Sequence, residues 1–417
     1  MSTITENLQT IKNSKLAMKQ AIIDKGGTIN GDITTWANSI NNIPYGESGG
    51  SSFGKKDVTF YNYDGTVLYA YTKDEFLSLS DLPPLPNQPG LLCQEWNYDY
   101  DNAIDYVTKY GKLDIGATYI TDDGKTRLYI RIAAKNRMTI TLYFSQTVDN
   151  GVIIDWGDGS DSQTISGTGY KNTSHTYASI GDYCITLLVR SGRVVLGHGE
   201  YYSIFSSTDF TSYNDRRLKK VEIGSNTGLT NRTFYRQYSL SSITIPNGTM
   251  SNIGLQLFSE CYSLNSVIIP KSTTSFTEGS FKDCRCLSLV ILPEGINNFP
   301  DSAFYNCSVL SSIIIPDSVK YINRSAFYNC NSLTSLMIPD SSIDVRDNVF
   351  YNCSCMAYYD FSTHTSVPTL SGTNAFSSIP SDCKIIVPDN LYDTWIAATN
   401  WSTYASKIIK KSDWDSL

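Results

Sequence analysis

One period governs the second half of this chain. Phe258, Phe281, Phe304, Phe327 and Phe350 follow one another at intervals of 23 residues, and Cys261, Cys284, Cys307, Cys330 and Cys353 keep the same interval three positions later. The tetrapeptide FYNC stands at 304–307, 327–330 and 350–353. Pro246, Pro270, Pro293, Pro316 and Pro339 each close an apolar run (SSITIP, NSVIIP, SLVILP, SSIIIP, TSLMIP), and Leu264, Leu287, Leu310 and Leu333 recur three residues after the cysteines. A fixed period of this length, with one short apolar run per unit, points to stacked turns of a solenoid.

Alternation along each run assigns its two faces. The residues one and three before the proline, Ile315 and Ile313 in one unit, face inward, so Thr244, Ile268, Ile291, Ile314 and Met337 form an outward row that is mostly apolar. Such a row is either covered by another segment of the chain or is a contact surface. Ile268, Ile291, Ile314 and Met337 are therefore candidate partner-binding residues. In SAFYNCSVL, Ala303, Phe304, Cys307 and Leu310 are spaced by three or four, which predicts a helical turn with Phe and Cys inward and Tyr305 and Asn306 outward. Tyr305, Tyr328 and Tyr351 then make an aromatic row suited to a protein or carbohydrate partner.

The cysteines recur too regularly to be ligands of one ion. Rungs about 4.8 Å apart would spread five in-phase thiols over about 19 Å, whereas zinc needs its sulfurs at about 2.3 Å. In-register side chains run parallel, which also disfavours disulfides between rungs, and the expected reading is an inert buried ladder. Cys286 and Cys355 lie two residues beyond ladder cysteines, a spacing unsuited to a redox or zinc pair.

At 417 residues, 41% hydrophobic and 18% charged, the chain has material for several folded domains. A formal charge of −7 and a pI near 5.1 argue against nucleic acid or an anionic membrane as partner. No secretory signal or spanning segment is apparent, so membrane insertion is not expected. The three histidines, His175, His198 and His364, fall in separate regions, and no nucleophile, zinc or phosphate-loop motif occurs. No catalytic residue, metal site or cofactor is expected; for Asp155, Asp158 and Asp161 turn chemistry is the default over calcium binding.

The chain divides by composition into five stretches. Residues 1–45 carry apolar spacings of a helical segment for anchoring or oligomerisation, and 46–56 form a Gly/Ser linker. Residues 57–132 read as a β-rich module with hairpins around Asp64-Gly65 and Asp123-Gly124 and a short helix NAIDYVTKYGK. Residues 133–206 have the short strands of a β-sandwich, and 207–417 hold the repeats and a C-terminal cap. The expected class is a multi-domain, mainly β protein ending in a solenoid.

Three resemblances add to this. Trp156, Gly157, Asp158, Gly159, His175, Thr176, Tyr177, Gly181 and Tyr183 make the sandwich resemble a polycystic-kidney-disease-type (PKD) immunoglobulin-like domain. The strand ending in proline, followed by AFYNC and a leucine, resembles the leucine-rich repeat common in bacterial surface proteins and in phage and parasite proteins. The front of the chain, with FYNYDGTVLYAYT, is similar to phage tail and fibre proteins. These resemblances imply a phage fibre or appendage subunit, made in the host cytoplasm and extracellular after release. They imply a homotrimer, joined to other virion proteins by its N-terminal segment and presenting the repeats to a host surface protein or glycan. A bacterial cell-surface adhesin is the alternative, and a carbohydrate-active enzyme the third.

Overall fold

The computed structural model describes residues 56–197, 203–205, 216–342 and 344–417. The expected N-terminal helices, and the expected linker apart from Lys56, lie outside the described residues. Residues 57–417 form one compact unit.

The unit begins with a small module. Strands β1 (Val58–Tyr61) and β2 (Val67–Tyr71) form the expected hairpin, turning at Gly65 with φ 87°. Helix α1 (Lys73–Leu77) starts with a capping box between Thr72 and Glu75. The proline-rich loop after it is pinned where Trp96 of β3 (Leu91–Trp96) donates its ring N–H to the Pro83 carbonyl at 2.8 Å. Helix α2 (Tyr100–Tyr110) ends at Gly111 in the left-handed conformation, as its sequence implies. Strand β4 (Leu113–Thr121) completes a sheet of order β2-β1-β4-β3. Phe60, Phe76, Trp96 and Tyr119 fill its core.

The second expected hairpin does not form. Gly124 makes the turn, at φ 70°, but β5 (Thr126–Ile132) leaves β4 and pairs in another sheet. The incoming segment 223–225 takes the hydrogen bonds at the fork: Thr121 donates to the Ile223 carbonyl at 3.4 Å and Ser225 donates to that of Gly124 at 3.0 Å. Gly224 is needed there, since a Cβ would lie 2.3 Å from the Gly124 carbonyl oxygen. The module therefore ends at about residue 121, short of the expected boundary at 132.

β6 (Thr139–Gln146), β7 (Val152–Asp155), β8 (Gln163–Ile165), β9 (Gly169–Thr176), β10 (Gly181–Val189) and β11 (Val194–Leu196) build two sheets with β5 and three later strands, β12 (Leu218–Glu222), β13 (Thr227–Leu229) and β14 (Ser242–Thr244). Their orders are β14-β12-β5-β10-β7-β8 and β13-β11-β6-β9. Leu128, Ile130, Ile185 and Leu187 of one sheet share a core with Ile140, Leu142 and Phe144 of the other. The expected boundary at 206 is thus not a structural one. β12 to β14 bring the solenoid's parallel pairing onto the sheet edge, which removes an exposed edge from each.

From there the chain winds in rungs of 23 residues, lengthening to 25 and 26 at the C-terminal end. Parallel strands at Ser266–Ile268 and Leu289–Ile291 are in register, as are those at Ser335–Met337, Tyr358–Asp360 and Lys384–Val387. Ile313 and Ile315 are buried, as alternation requires. Each rung also has a second short strand that the sequence pattern does not reveal, because two residues carry no period: Ser275–Phe276, Asn298–Phe299, Tyr321–Ile322 and Asp344–Val345 are examples. Helix α3 (Tyr392–Ala397) and the segment after it close the end, burying Trp395 and Trp401 with ring centroids 5.3 Å apart.

Candidate binding surface

The outward apolar row is not open. Ile268 and Ile291 are 4% and 1% exposed, and both belong to the core of the small module, while Ile314 and Met337 pack against it half-buried. The module lies on the strand face of these rungs, so this row is core packing and not the partner surface expected of it. Gly116 of β4 makes the approach close enough: a Cβ there would meet Ile268 Cγ2 at 2.5 Å. Polar contacts ring the apolar patch. Asn97 Nδ2 donates to the Ile269 carbonyl at 3.3 Å, the Tyr106 hydroxyl donates to that of Ile315 at 2.8 Å, and Lys271 bridges Glu95 at 2.6 Å and Asp99 at 3.0 Å. Lys109 pairs with Asp317 at 2.8 Å, and the Tyr110 hydroxyl also donates to Asp317.

The FYNC segment is a turn rather than a helix. Ser302 and Asn306 have φ of 59° and 60°, and the pattern repeats at Ser325 and Asn329 and at Asn348 and Asn352. Left-handed residues interrupt an α-helix, and asparagine tolerates that conformation better than most. The backbone bonds run between rungs: Phe304 donates to the Ala326 carbonyl and Asn306 to that of Tyr328, both at 2.8 Å.

Two ladders follow on this flank. Tyr305, Tyr328 and Tyr351 stack with centroids 4.8 Å apart at each step. All three are half-buried, because each ring face covers the next, and Lys282 lies over the Tyr305 ring at 5.3 Å. Beside them Asn352 Nδ2 donates to Asn329 Oδ1 at 2.9 Å, Asn329 to Asn306 at 2.8 Å, and Asn306 to the Asp283 carboxylate at 2.8 Å. The same column continues with Glu260 and Arg236, paired at 3.0 Å, and Tyr238 and Tyr262 stack at 4.5 Å while both donate to Glu260 Oε2.

The ladder cysteines Cys261, Cys284, Cys307, Cys330 and Cys353 are buried, and all ten cysteines are free. Each ladder thiol donates to a phenylalanine carbonyl one rung back, Cys307 to Phe281 at 3.2 Å and Cys330 to Phe304 at 3.2 Å. Burial raises their pKa, that of Cys353 to about 12, so the S–H is retained as donor. Gln237, where the first unit lacks cysteine, does the same work with Nε2 on the Phe205 carbonyl at 3.3 Å. The donor role is not legible from spacing.

Other candidate groups are engaged in turns and packing. Asp158 accepts from Ser160 and pairs with His175 Nε2 at 2.7 Å, and these bonds, Ser160 first, lower its pKa to about 2. The His175 ring stacks on Trp156 at 5.0 Å, and Asp155 Oδ1 caps the Gly157 N–H at 2.9 Å. His364 is buried with Nε2 3.2 Å from the Ile338 carbonyl oxygen, and burial lowers its pKa. His198 lies outside the described residues. Among the described residues no group of three His, Cys, Asp or Glu side chains is arranged to hold a metal, and no helix is long and apolar enough to cross a membrane.

The rung geometry has a counterpart in a known family. Residues 206–332 and 298–395 match the model described as BspA type leucine rich repeat region, in six copies. The solenoid carries repeats that match the BspA type over these residues. Three solved structures are similar. A leucine-rich repeat protein of T. pallidum is 22% identical, covering 36% of this chain and 78% of its own, with a TM-score of 0.27. One from Bacteroides ovatus is 19% identical, covering 46% and 66%, with a TM-score of 0.23. A leucine rich cell surface protein from Faecalibacterium prausnitzii is 18% identical, covering 53% and 88%, with a TM-score of 0.26. No curated protein matches the chain.

Proposed function

We propose that the chain is a non-catalytic adhesin or protein-interaction protein that binds through the turn flank of its BspA-type array. The observation that carries this is the tyrosine ladder beside the asparagine ladder: a rigid, repeated surface of aromatic edges, ordered before any partner arrives. Preordering lowers the entropic cost of binding, and tyrosine offers apolar area with a hydroxyl at its edge. The strand face is already occupied by the module, which leaves the flank as the preferred site. A surface location accords with the bacterial surface proteins that the repeats resemble, and the Trp156–His175 turn is the basis for assigning the sandwich to the PKD type.

A virion fibre is the less supported role. The trimeric N-terminal segment it requires falls in residues 1–45, outside the described residues, and the matched family is shared with bacterial surface proteins.

The test uses the full chain, fluorescently labelled, with intact bacterial cells and mammalian epithelial cells as probes. Cell-bound fluorescence should fall at least tenfold when Tyr305, Tyr328 and Tyr351 are all changed to serine, with the folded circular-dichroism spectrum retained. Equal retention of the variant, or no retention of the parent on either cell type, removes the proposal.

A further inference from the structure

Glu294 lies where the small module meets the solenoid, at the rung corner after Pro293. Its Oε2 is buried and faces the hydroxyl of Tyr98, which is buried on the module side. We infer that closure of the module over the strand face is proton-linked: with Glu294 enclosed beneath Tyr98 and Tyr106, acid tightens the module and base loosens it, uncovering Ile268 and Ile291. This concerns the strand face and is independent of what the tyrosine flank binds.

A carboxylate removed from water without full hydrogen bonding favours its neutral form. The groups around Glu294 act both ways: Asp317 reinforces this, while a hydrogen bond with Tyr98 and the charge of Lys109 favour the carboxylate and do not offset burial. Asp317, one rung on, is a like charge; Tyr98 and Tyr106 are neutral hydroxyls whose own pKa values are raised by burial; Asp114 of β4 acts on both tyrosines. The cation that acts on it, Lys109 of α2, is paired with Asp317 at 2.8 Å. Burial, then Asp317, raises the Glu294 carboxyl from 4.5 to about 7. Asp114 is raised to about 6 by burial, against a hydrogen bond from Tyr61 and the charge of Lys112. A carboxyl whose pKa is higher when enclosed stabilises closure most below its free value. That stabilisation is lost as pH rises from about 4.5 to about 7.

The backbone beneath gives opening a visible consequence. Strand pairing runs from Ser266–Ile268 to Leu289–Ile291 and resumes at Ser335–Met337; among the described residues the run between them, Ser311–Ile315, has no paired strand. The Tyr106 hydroxyl takes the Ile315 carbonyl over this gap. Loosening the module therefore frees both α2 and the unpaired rung, while the stacked turns on the other side keep their own bonds.

Hydrogen exchange of the full chain, read by mass spectrometry at pH 5 and pH 8, tests this. Each variant is compared with the parent at the same pH, so intrinsic exchange cancels. Relative to Glu294→Gln, which stays neutral, parent protection in 100–110 and 311–316 should fall about tenfold from pH 5 to pH 8. Partial solvation of the carboxyl holds the effect below the full shift. Glu278→Gln, an exposed control, should track the parent, and Tyr98→Phe should move the transition to higher pH. An identical pH response in parent and Glu294→Gln overturns the inference. So does a loss of protection spread evenly over sandwich and solenoid, because the module then does not open separately.

Discussion

Gly116 is the sharpest probe of how the module rests on the solenoid. In Gly116→Ala the new methyl would lie 2.5 Å from Ile268 Cγ2 and 2.8 Å from its Cγ1 and Cδ1. Ordinary carbon contacts are about 3.5–4.0 Å, so β4 must lift by about 1 Å or Ile268 must leave its rotamer. Overpacking of this kind costs about 1–3 kcal/mol, and the upper half is expected, because Ile268 is confined between β4 and its own strand. Ile268→Ala removes all three clashing atoms and leaves a cavity, at about 2–5 kcal/mol. In the double variant the methyl introduced on β4 occupies part of that space. The double variant should therefore be more stable than the sum of the single effects implies, by about 1–3 kcal/mol. Urea denaturation of the four proteins, with m-values compared, measures the cycle. Additivity within about 0.5 kcal/mol would refute the contact, and with it the reassignment of Ile268 from partner surface to core.

Four further outcomes are expected. Cys307→Ala should lower stability by about 1–2 kcal/mol in denaturant through the lost sulfur volume and its bond to the Phe281 carbonyl. In the native chain a thiol reagent should label the exposed Cys286 and Cys355 first and the ladder cysteines only on unfolding; prompt labelling of the ladder would contradict its burial. Asn329→Gly should be about 1 kcal/mol more stable than Asn329→Ala, since both lose the amide ladder but only alanine is strained at φ 58°; thermal melts that rank alanine above glycine would exclude that account. Asp158, held down to about 2 from 3.8, should contribute stability that is full above about pH 4 and is lost as pH falls toward 2, and Asp158→Asn should flatten that acid limb of the melting temperature.

The solenoid is legible in the sequence because its information is in spacing, and spacing survives without coordinates. What lies on a face is not. Alternation puts Ile268 and Ile291 outward, yet only the folded chain shows that β4 lies over them. One signal is present: a glycine inside the apolar strand LDIGATYIT marks close approach of another element, and Gly116 is that residue. The FYNC turn reads as helical because a three-to-four spacing is shared by a helix and by a turn with two left-handed residues. Asparagine before Cys307, Cys330 and Cys353 is the available clue. Glu294 could not be picked from the sequence, since its environment is made by Tyr98 and Tyr106 nearly two hundred residues away.

The asparagine ladder has a direction. Each amide hands its hydrogen to the rung before it, and the series terminates on the carboxylate of Asp283. An added 23-residue unit bearing asparagine at this position could therefore be spliced in after Asn352 and join the series without altering its terminus. The module sets the opposite limit, since it straddles the rungs of Ile268, Ile291, Ile314 and Met337 and needs all four present. Array length is thus a free variable on one side of the molecule and a fixed quantity on the other, and growth or loss of repeats by duplication has room only beyond the module's footprint.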